Sequence, residues 1–274
     1  MTIAGSPTGI DVSNHQGLID WDLVPTAGVQ FAFAKASEGD YFNDGWFSRN
    51  WSEMRRVGLN RGAYHFARPS SAGAETEASF FLASVNHAGG LEPGDMLVLD
   101  MEDEKYHGDA ASWSIDFCEY LAGHTGFDPI IYTGPWYLDS RGMDDLELGQ
   151  FPLWLAAYQQ QMPVPPDPWS AVSFWQYTSS GHIPGVRGDC DVNVFNGAAD
   201  RIPLLGMPGD LPTEPTGPEY VIGPGIRDAM DDHHDLPSTN EHYITPDWSE
   251  AYGKSGRKYT YIASLNEVMV FEPS

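Results

Sequence analysis

Eight short runs rich in Val, Ile, Phe and Tyr constrain this chain more than any other feature. They are Gly9 to Ser13, Phe31 to Ala36, Gly62 to Phe66, Met96 to Glu102, Pro129 to Thr133, Pro152 to Ala157, Val172 to Tyr177 and Asp191 to Phe195. Apolar runs of this length alternating with stretches of helical period are the pattern of βα units wrapped around a parallel sheet. The spacing predicts helices over Ala74 to His87, where Phe80, Phe81 and Val85 recur, and over Ala110 to Ala122, where Trp113, Phe117 and Tyr120 share a face. The last three runs are joined by Pro- and Gly-rich segments such as Gln161 to Trp169, which leave too little room for full helices. The expected architecture is an α/β barrel whose second half has lost its helices.

Charge narrows the partners. The 274 residues carry 39 Asp and Glu against 14 Lys and Arg, a formal charge of −25, and no basic cluster exists to release counterions from a polyphosphate, so nucleic acid is excluded as a partner. No apolar run reaches the roughly 18 residues that cross a bilayer, so no membrane insertion is expected. Cys118 and Cys190 lack metal-type spacing and are too few for a disulfide framework; buried free thiols are the expectation.

The composition changes after Gly197. Proline and glycine punctuate Gly206 to Gly225, which reads as a linker. Beyond it, Ile226 to His234 is expected as a short helix, and Lys258 to Ser264 and Glu267 to Phe271 as two strands joined by a turn at Asn266. The expected organisation is a catalytic barrel over residues 1–205, the linker over 206–225 and a small appended module over 226–274. Adjacent His233 and His234 diverge and have no third ligand at a helpful spacing, so they read as solvated side chains.

Polar side chains recur where the predicted strands end: Asp11, Glu38, His65, Asp100, Glu102, Tyr132, Tyr158, Gln176, Tyr177 and Asp191. In a parallel barrel such ends share one rim, where loops vary without disturbing the packed interior. Any one of these acids is as well explained as a helix cap; their coincidence points to a site. In the segment Met96 to Glu104 an apolar strand runs straight into acids, and strand alternation sends Asp100 and Glu102 to one face. Two carboxyls crowded together cannot both ionise easily, so one is expected to keep its proton while the other stays anionic. That division of labour suits cleavage of a glycosidic bond. Of the aromatics near the rim (Tyr64, Phe66, Tyr132, Trp136, Tyr158, Trp175 and Tyr177), Tyr132, Tyr158 and Tyr177 at strand ends are expected to line a saccharide groove. Glu38 is expected either to bind substrate or to pair with Lys35, and His65 to donate to a sugar hydroxyl or to sit buried and hydrogen-bonded.

Six ordered blocks, Gly9 to Gly17, Ala34 to Gly39, Gly62 to Ala67, Leu99 to Glu102, Trp175 to Tyr177 and Asp191 to Phe195, resemble the family 25 glycoside hydrolases, muramidases of the lysozyme type, over about Thr8 to Gly197. The resemblance implies an incomplete TIM-like barrel, (β/α)5β3, acting on peptidoglycan glycan strands at the β-1,4 bond between N-acetylmuramic acid and N-acetylglucosamine, with no metal or cofactor. It makes Glu102 the general acid and later the base, and assigns Asp11, Asp100 and Asp191 to the catalytic cluster. Because an N-acetylated sugar carries its own nucleophile, the acetamido oxygen at C2, Asp100 is expected to orient that group and stabilise an oxazolinium ion in preference to forming a covalent glycosyl intermediate; both routes retain configuration. Met1 to Ser13 has neither a basic nor an apolar leader-like stretch. The expectation is of a monomer made in a host cytoplasm without a signal peptide and acting on the cell wall, a setting that favours a phage endolysin. Two rivals predict different behaviour. A metal-dependent amidase or deacetylase would gather Asp11, His15, His65, Asp100 and Asp191 around zinc, and a non-catalytic carbohydrate-binding barrel would not need Glu102.

Overall fold

The computed structural model describes residues 5–206 and, further along the chain, 237–245, 248–253, 258–262 and 267–271. The chain divides into two compact units, Met1–Leu211 and Pro212–Ser274. The first is an eight-stranded α/β barrel. β1 (Thr8–Val12), β2 (Val29–Glu38), a short β3 (Phe42–Asn43), β4 (Asn60–Phe66), β5 (Met96–Asp100), β6 (Ile130–Thr133), β7 (Leu153–Ala156), β8 (Phe174–Gly181) and β9 (Cys190–Phe195) lie in the order β1-β9-β8-β7-β6-β5-β4-β2-β3, and β1 also pairs with β2 to close the ring. Neighbours from β1 and β2 round to β8 run parallel; β9 is antiparallel to both β8 and β1.

Helices α1 (Phe47–Arg56), α2 (Ala74–His87), α3 (Ala110–Thr125) and α4 (Pro135–Arg141) follow the β2–β3 pair, β4, β5 and β6, a 3-10 turn at Val24–Ala27 follows β1, and the three last strands are joined without α-helices. This is the expected five-plus-three arrangement. The sequence reading missed α1, whose buried Phe47, Asn50, Trp51 and Met54 include a polar side chain, and α4, a helix of 7 residues. Both fall below the window in which helical periodicity stands out. α3 is defined at both ends, by the Asp109 carboxylate accepting from the Ser112 N–H at 3.0 Å and by Gly126 at φ 73°.

Strand alternation builds two apolar layers. Inside the barrel Phe31, Phe33, Met96, Val98, Ile130, Trp154, Phe174 and Phe195 pack on one another, with Ile202 of a terminal 3-10 helix (Ala199–Gly206) among them. Outside, Leu97, Leu99 and Ile131 meet Phe81 and Val85 of α2 and Phe117 and Leu121 of α3. Gly206, expected to open the linker, is the buried end of that 3-10 helix and accepts from the Gly94 N–H. Both cysteines are buried and free.

In the second unit β10 (Pro237–Thr245), β11 (Trp248–Gly253), β12 (Lys258–Ile262) and β13 (Glu267–Phe271) form an antiparallel sheet in chain order. The last two match the expected strands; the first two were not read, since Pro, Ser, Asn and His interrupt any alternation there. The rest of the expected linker, the helix at Ile226 to His234 and the turn at Asn266 lie outside the described residues.

Candidate active site

The alternation that fills the barrel with Met96 and Val98 turns the next residue of β5, Asp100, into its mouth, and Glu102 follows two residues on. The same parity on β1 carries Asp11 inward, because Ile10 and Val12 belong to the outer layer. Asp191 stands directly opposite Asp11 in the antiparallel β1–β9 ladder. It was expected at the carboxyl end of its strand, yet it lies near the start of β9, and the reversed direction of that strand is what brings it to the common rim. These four acids border one cavity of about 300 Å³, together with Tyr64, Phe66, Tyr132, Trp154, Tyr158, Gln176, Lys35, Ser13 and His15.

Burial dominates the electrostatics. It is the first cause that raises all four carboxyls above the ordinary range. Glu102 is pushed up to about 7, with the charges of Asp191 and Glu104 adding to burial while Lys35 and Arg68 oppose it. Asp11 is also pushed up to about 7, by burial and then by Asp191, against hydrogen bonds from Asn193 and Gln176. Asp100 lies well above the usual carboxylate range through burial and then Glu102. The sequence reading named like-charge crowding as the cause of the shift; desolvation is the larger one. Asp100 Oδ1 is buried and has no hydrogen-bond partner among the described residues.

Not every residue expected at the rim faces it. Because Tyr64 and Phe66 of β4 line the cavity, His65 between them points outward into the helical layer. It is fully buried there, with Nδ1 2.9 Å from Ser37 Oγ and Nε2 2.9 Å from Glu77 Oε2 on α2, and is no sugar ligand. The zinc set of the amidase rival is thereby split across the barrel wall. Tyr177 fails for the same reason: Gln176 faces in, so Trp175 and Tyr177 flank it outward and pack on each other in the outer layer. Glu38 does not border the cavity. It accepts from Lys35 Nζ at 2.5 Å and from Arg68 Nε at 2.8 Å, and although burial works the other way, these bonds hold its carboxyl below the usual range. Arg68 continues to Asp103 at 3.0 Å.

A shift of register in β2 between Lys35 and Ser37 reverses the parity of the strand, which is why Lys35 can reach the cavity while Ser37 meets His65. Sequence reasoning passed over Lys35, Ser13, Trp154 and Asn193 as site residues. For Trp154 and Asn193 the signal was present, since each lies at even spacing from a residue already assigned inward, Tyr158 and Asp191.

Residues 10–186 match the model of the family described as glycosyl hydrolases family 25. The chain belongs to this family. It is a glycoside hydrolase. Lysozyme M1 of Streptomyces globisporus is 34% identical over 209 residues, covering 72% of this chain and 70% of that protein. An N,O-diacetylmuramidase of Arthroderma benhamiae is 31% identical over 212 residues, covering 73% and 87%. The crystal structure of a bacterial lysozyme from Streptomyces coelicolor superposes with a TM-score of 0.69 at 32% identity, covering 74% of this chain and 98% of that one. The residues of this family 25 hydrolase that match the family model include Asp11, Asp100 and Glu102 of the acid-lined cavity.

Proposed function

We propose that this family 25 hydrolase is an N-acetylmuramidase that cuts the β-1,4 bond between N-acetylmuramic acid and N-acetylglucosamine in peptidoglycan, with retention of configuration. The observation that carries the reading is the buried Asp100 Oδ1, without a partner among the described residues, beside a Glu102 that holds its proton to about pH 7. An unpaired buried acceptor costs about 1–3 kcal/mol, and the acetamido N–H of an N-acetylated sugar would satisfy it. Held so, the acetamido oxygen attacks C1 while Glu102 protonates the leaving oxygen. The bond to the leaving sugar breaks, a C1–O bond closes the oxazolinium ring, and Asp100 stabilises its positive charge. Water then attacks C1, Glu102 takes the proton of that water, and the ring reopens with configuration retained. Asp11 and Asp191 keep the local potential negative, which favours both the protonated acid and the cationic intermediate. Tyr132 and Tyr158, at the mouth, offer aromatic faces to the sugars.

Mass spectrometry of products from purified peptidoglycan tests this. Muramic acid at the new reducing ends is the expected result; glucosamine ends or freed stem peptides would contradict it. Cutting glycan strands removes the wall's restraint on turgor, and we extend the proposal to lysis of a host cell by an endolysin. Co-expression with a membrane pore should lyse the host, and lysis should fail with Glu102→Gln. The second unit we propose to be a wall-binding module, which raises local enzyme concentration at an insoluble substrate.

A further inference from the structure

Gln176 was expected to bind substrate, yet it is only 3% exposed and its amide is engaged at both ends. Its Oε1 accepts from Tyr132 OH at 3.2 Å and from Tyr158 OH at 3.0 Å, and its Nε2 donates to Asp11 Oδ2 at 3.0 Å. Asn193, fully buried on β9, donates from Nδ2 to the same Oδ2 at 2.8 Å. Its orientation is fixed independently: the Trp154 indole N–H, which can only donate, reaches Asn193 Oδ1 at 2.9 Å, so the amide nitrogen must face Asp11. One carboxylate oxygen of Asp11 therefore receives two N–H donors, whereas Oδ1 receives none among the described residues. Across the β1–β9 ladder Asp191 stands directly opposite Asp11 and borders the same cavity, and side chains opposed in this way lie about 5 Å apart at Cβ, within reach of two carboxyl groups.

We propose that Gln176 is a positioning residue: with Asn193 it holds Asp11 Oδ2 as a permanent acceptor, so that the proton Asp11 carries is confined to Oδ1 and shared with Asp191. The pair then presents a single negative charge to Glu102 instead of two. The other titratable groups bordering the cavity with Asp11 and Asp191 are Lys35 from β2, Tyr64 from β4, Asp100 at the end of β5, Glu102 just beyond it, Tyr132 from β6 and Tyr158 beyond β7. His15 follows on the chain beyond β1, and the Cys190 thiol lies 3.8 Å from the Asp11 carbonyl. Among the described residues none of these donates to Asp11 Oδ2, whose donors are Gln176 and Asn193.

The test is a carboxyl titration of the full chain labelled with 13C-aspartate, free of substrate, with the Asp11 signal assigned by its loss in Asp11→Asn. In Gln176→Met the Asp11 midpoint should rise by about one pH unit, because a donor to the charged form is gone. On wall glycan kcat should fall about tenfold with KM within about twofold. In Asp191→Asn the Asp11 signal should titrate in one step with its midpoint lowered by about one unit. An Asp11 curve unmoved by Gln176→Met, together with a raised KM, would return Gln176 to substrate binding and overturn the proposal, as would an Asp11 curve indifferent to Asp191→Asn. Should Gln176→Met not fold, Gln176→Glu serves: it keeps an acceptor for both tyrosines and places a like charge on Asp11, so the midpoint must rise further, and an unmoved midpoint is again fatal. The proposal rests on the hydrolase reading for its meaning, but the titration needs no substrate and would survive a wrong choice of scissile bond.

Discussion

Glu102 holds its proton to about pH 7 because burial, and then Asp191, disfavours its charge. A general acid must be protonated to act, so kcat/KM should fall about tenfold per pH unit above that value, as a pH–rate profile on defined glycan would show. Glu102→Gln should lower turnover by at least about 10²–10⁴-fold while wall binding persists in sedimentation. The same shift bears on stability. With the folded values of Glu102 and Asp11 raised from 4.5 and 3.8 to about 7, the stability gained from their protons is complete below the unfolded values and is lost as pH rises through 7. Melting temperature should therefore drop between pH 5 and pH 8. Asp100→Asn should cut activity while its stabilising effect grows as pH rises, because burial and Glu102 make ionisation of Asp100 costly in the folded chain.

At the scale of elements, the aromatic interior depends on glycine in neighbouring strands. Phe31 lies across from Gly9 and Phe33 across from Gly62, and a Cβ at those positions would stand 2.2 Å and 2.3 Å from the rings. Gly62→Ala should destabilise by about 1–3 kcal/mol through overpacking, read as a loss in denaturant midpoint without change in slope. α2 is tied to the barrel by Glu77, fully buried, which accepts from the Arg68 N–H at 2.9 Å and from Ser71 Oγ at 3.2 Å and bonds His65. Glu77→Ala leaves those groups unpaired and should cost about 3 kcal/mol or more. Elements of this kind explain what was legible. Runs such as Met96 to Asp100 announce themselves by composition, and Asp100 with Glu102 by parity. Nothing in Tyr64-His65-Phe66 says which side faces in, and His65 takes its buried, hydrogen-bonded alternative; the same parity, applied to Trp175-Gln176-Tyr177, already forbids Gln176 and Tyr177 from facing one cavity, so the misplacement of Tyr177 was avoidable. The register shift after Lys35 was not, because no residue there marks it.

For the whole molecule, the charge of −25 opposes approach to a wall bearing anionic polymers. Screening shortens from about 30 Å at 0.01 M salt to about 8 Å at 0.15 M. Lysis rates on such walls should rise over that range, and the rise should vanish on walls stripped of their anionic polymers. Removing the second unit, Pro212–Ser274, should reduce wall sedimentation while leaving kcat on soluble glycan unchanged; undiminished sedimentation would end its assignment as a binding module.

The sequence by itself determined that buried strands alternate with helices, that the second half lacks room for helices, and that acids stand where strands leave the core, because period and composition are local properties of the chain. Only the tertiary structure decided which acids share a hollow and in what state. β9 runs backwards to carry Asp191 up to Asp11, burial outweighs like-charge repulsion in holding their protons, and amides from β8 and β9 grip a carboxylate on β1. Those are relations between segments more than 160 residues apart, set by strand direction and closure of the ring, and no local pattern encodes them.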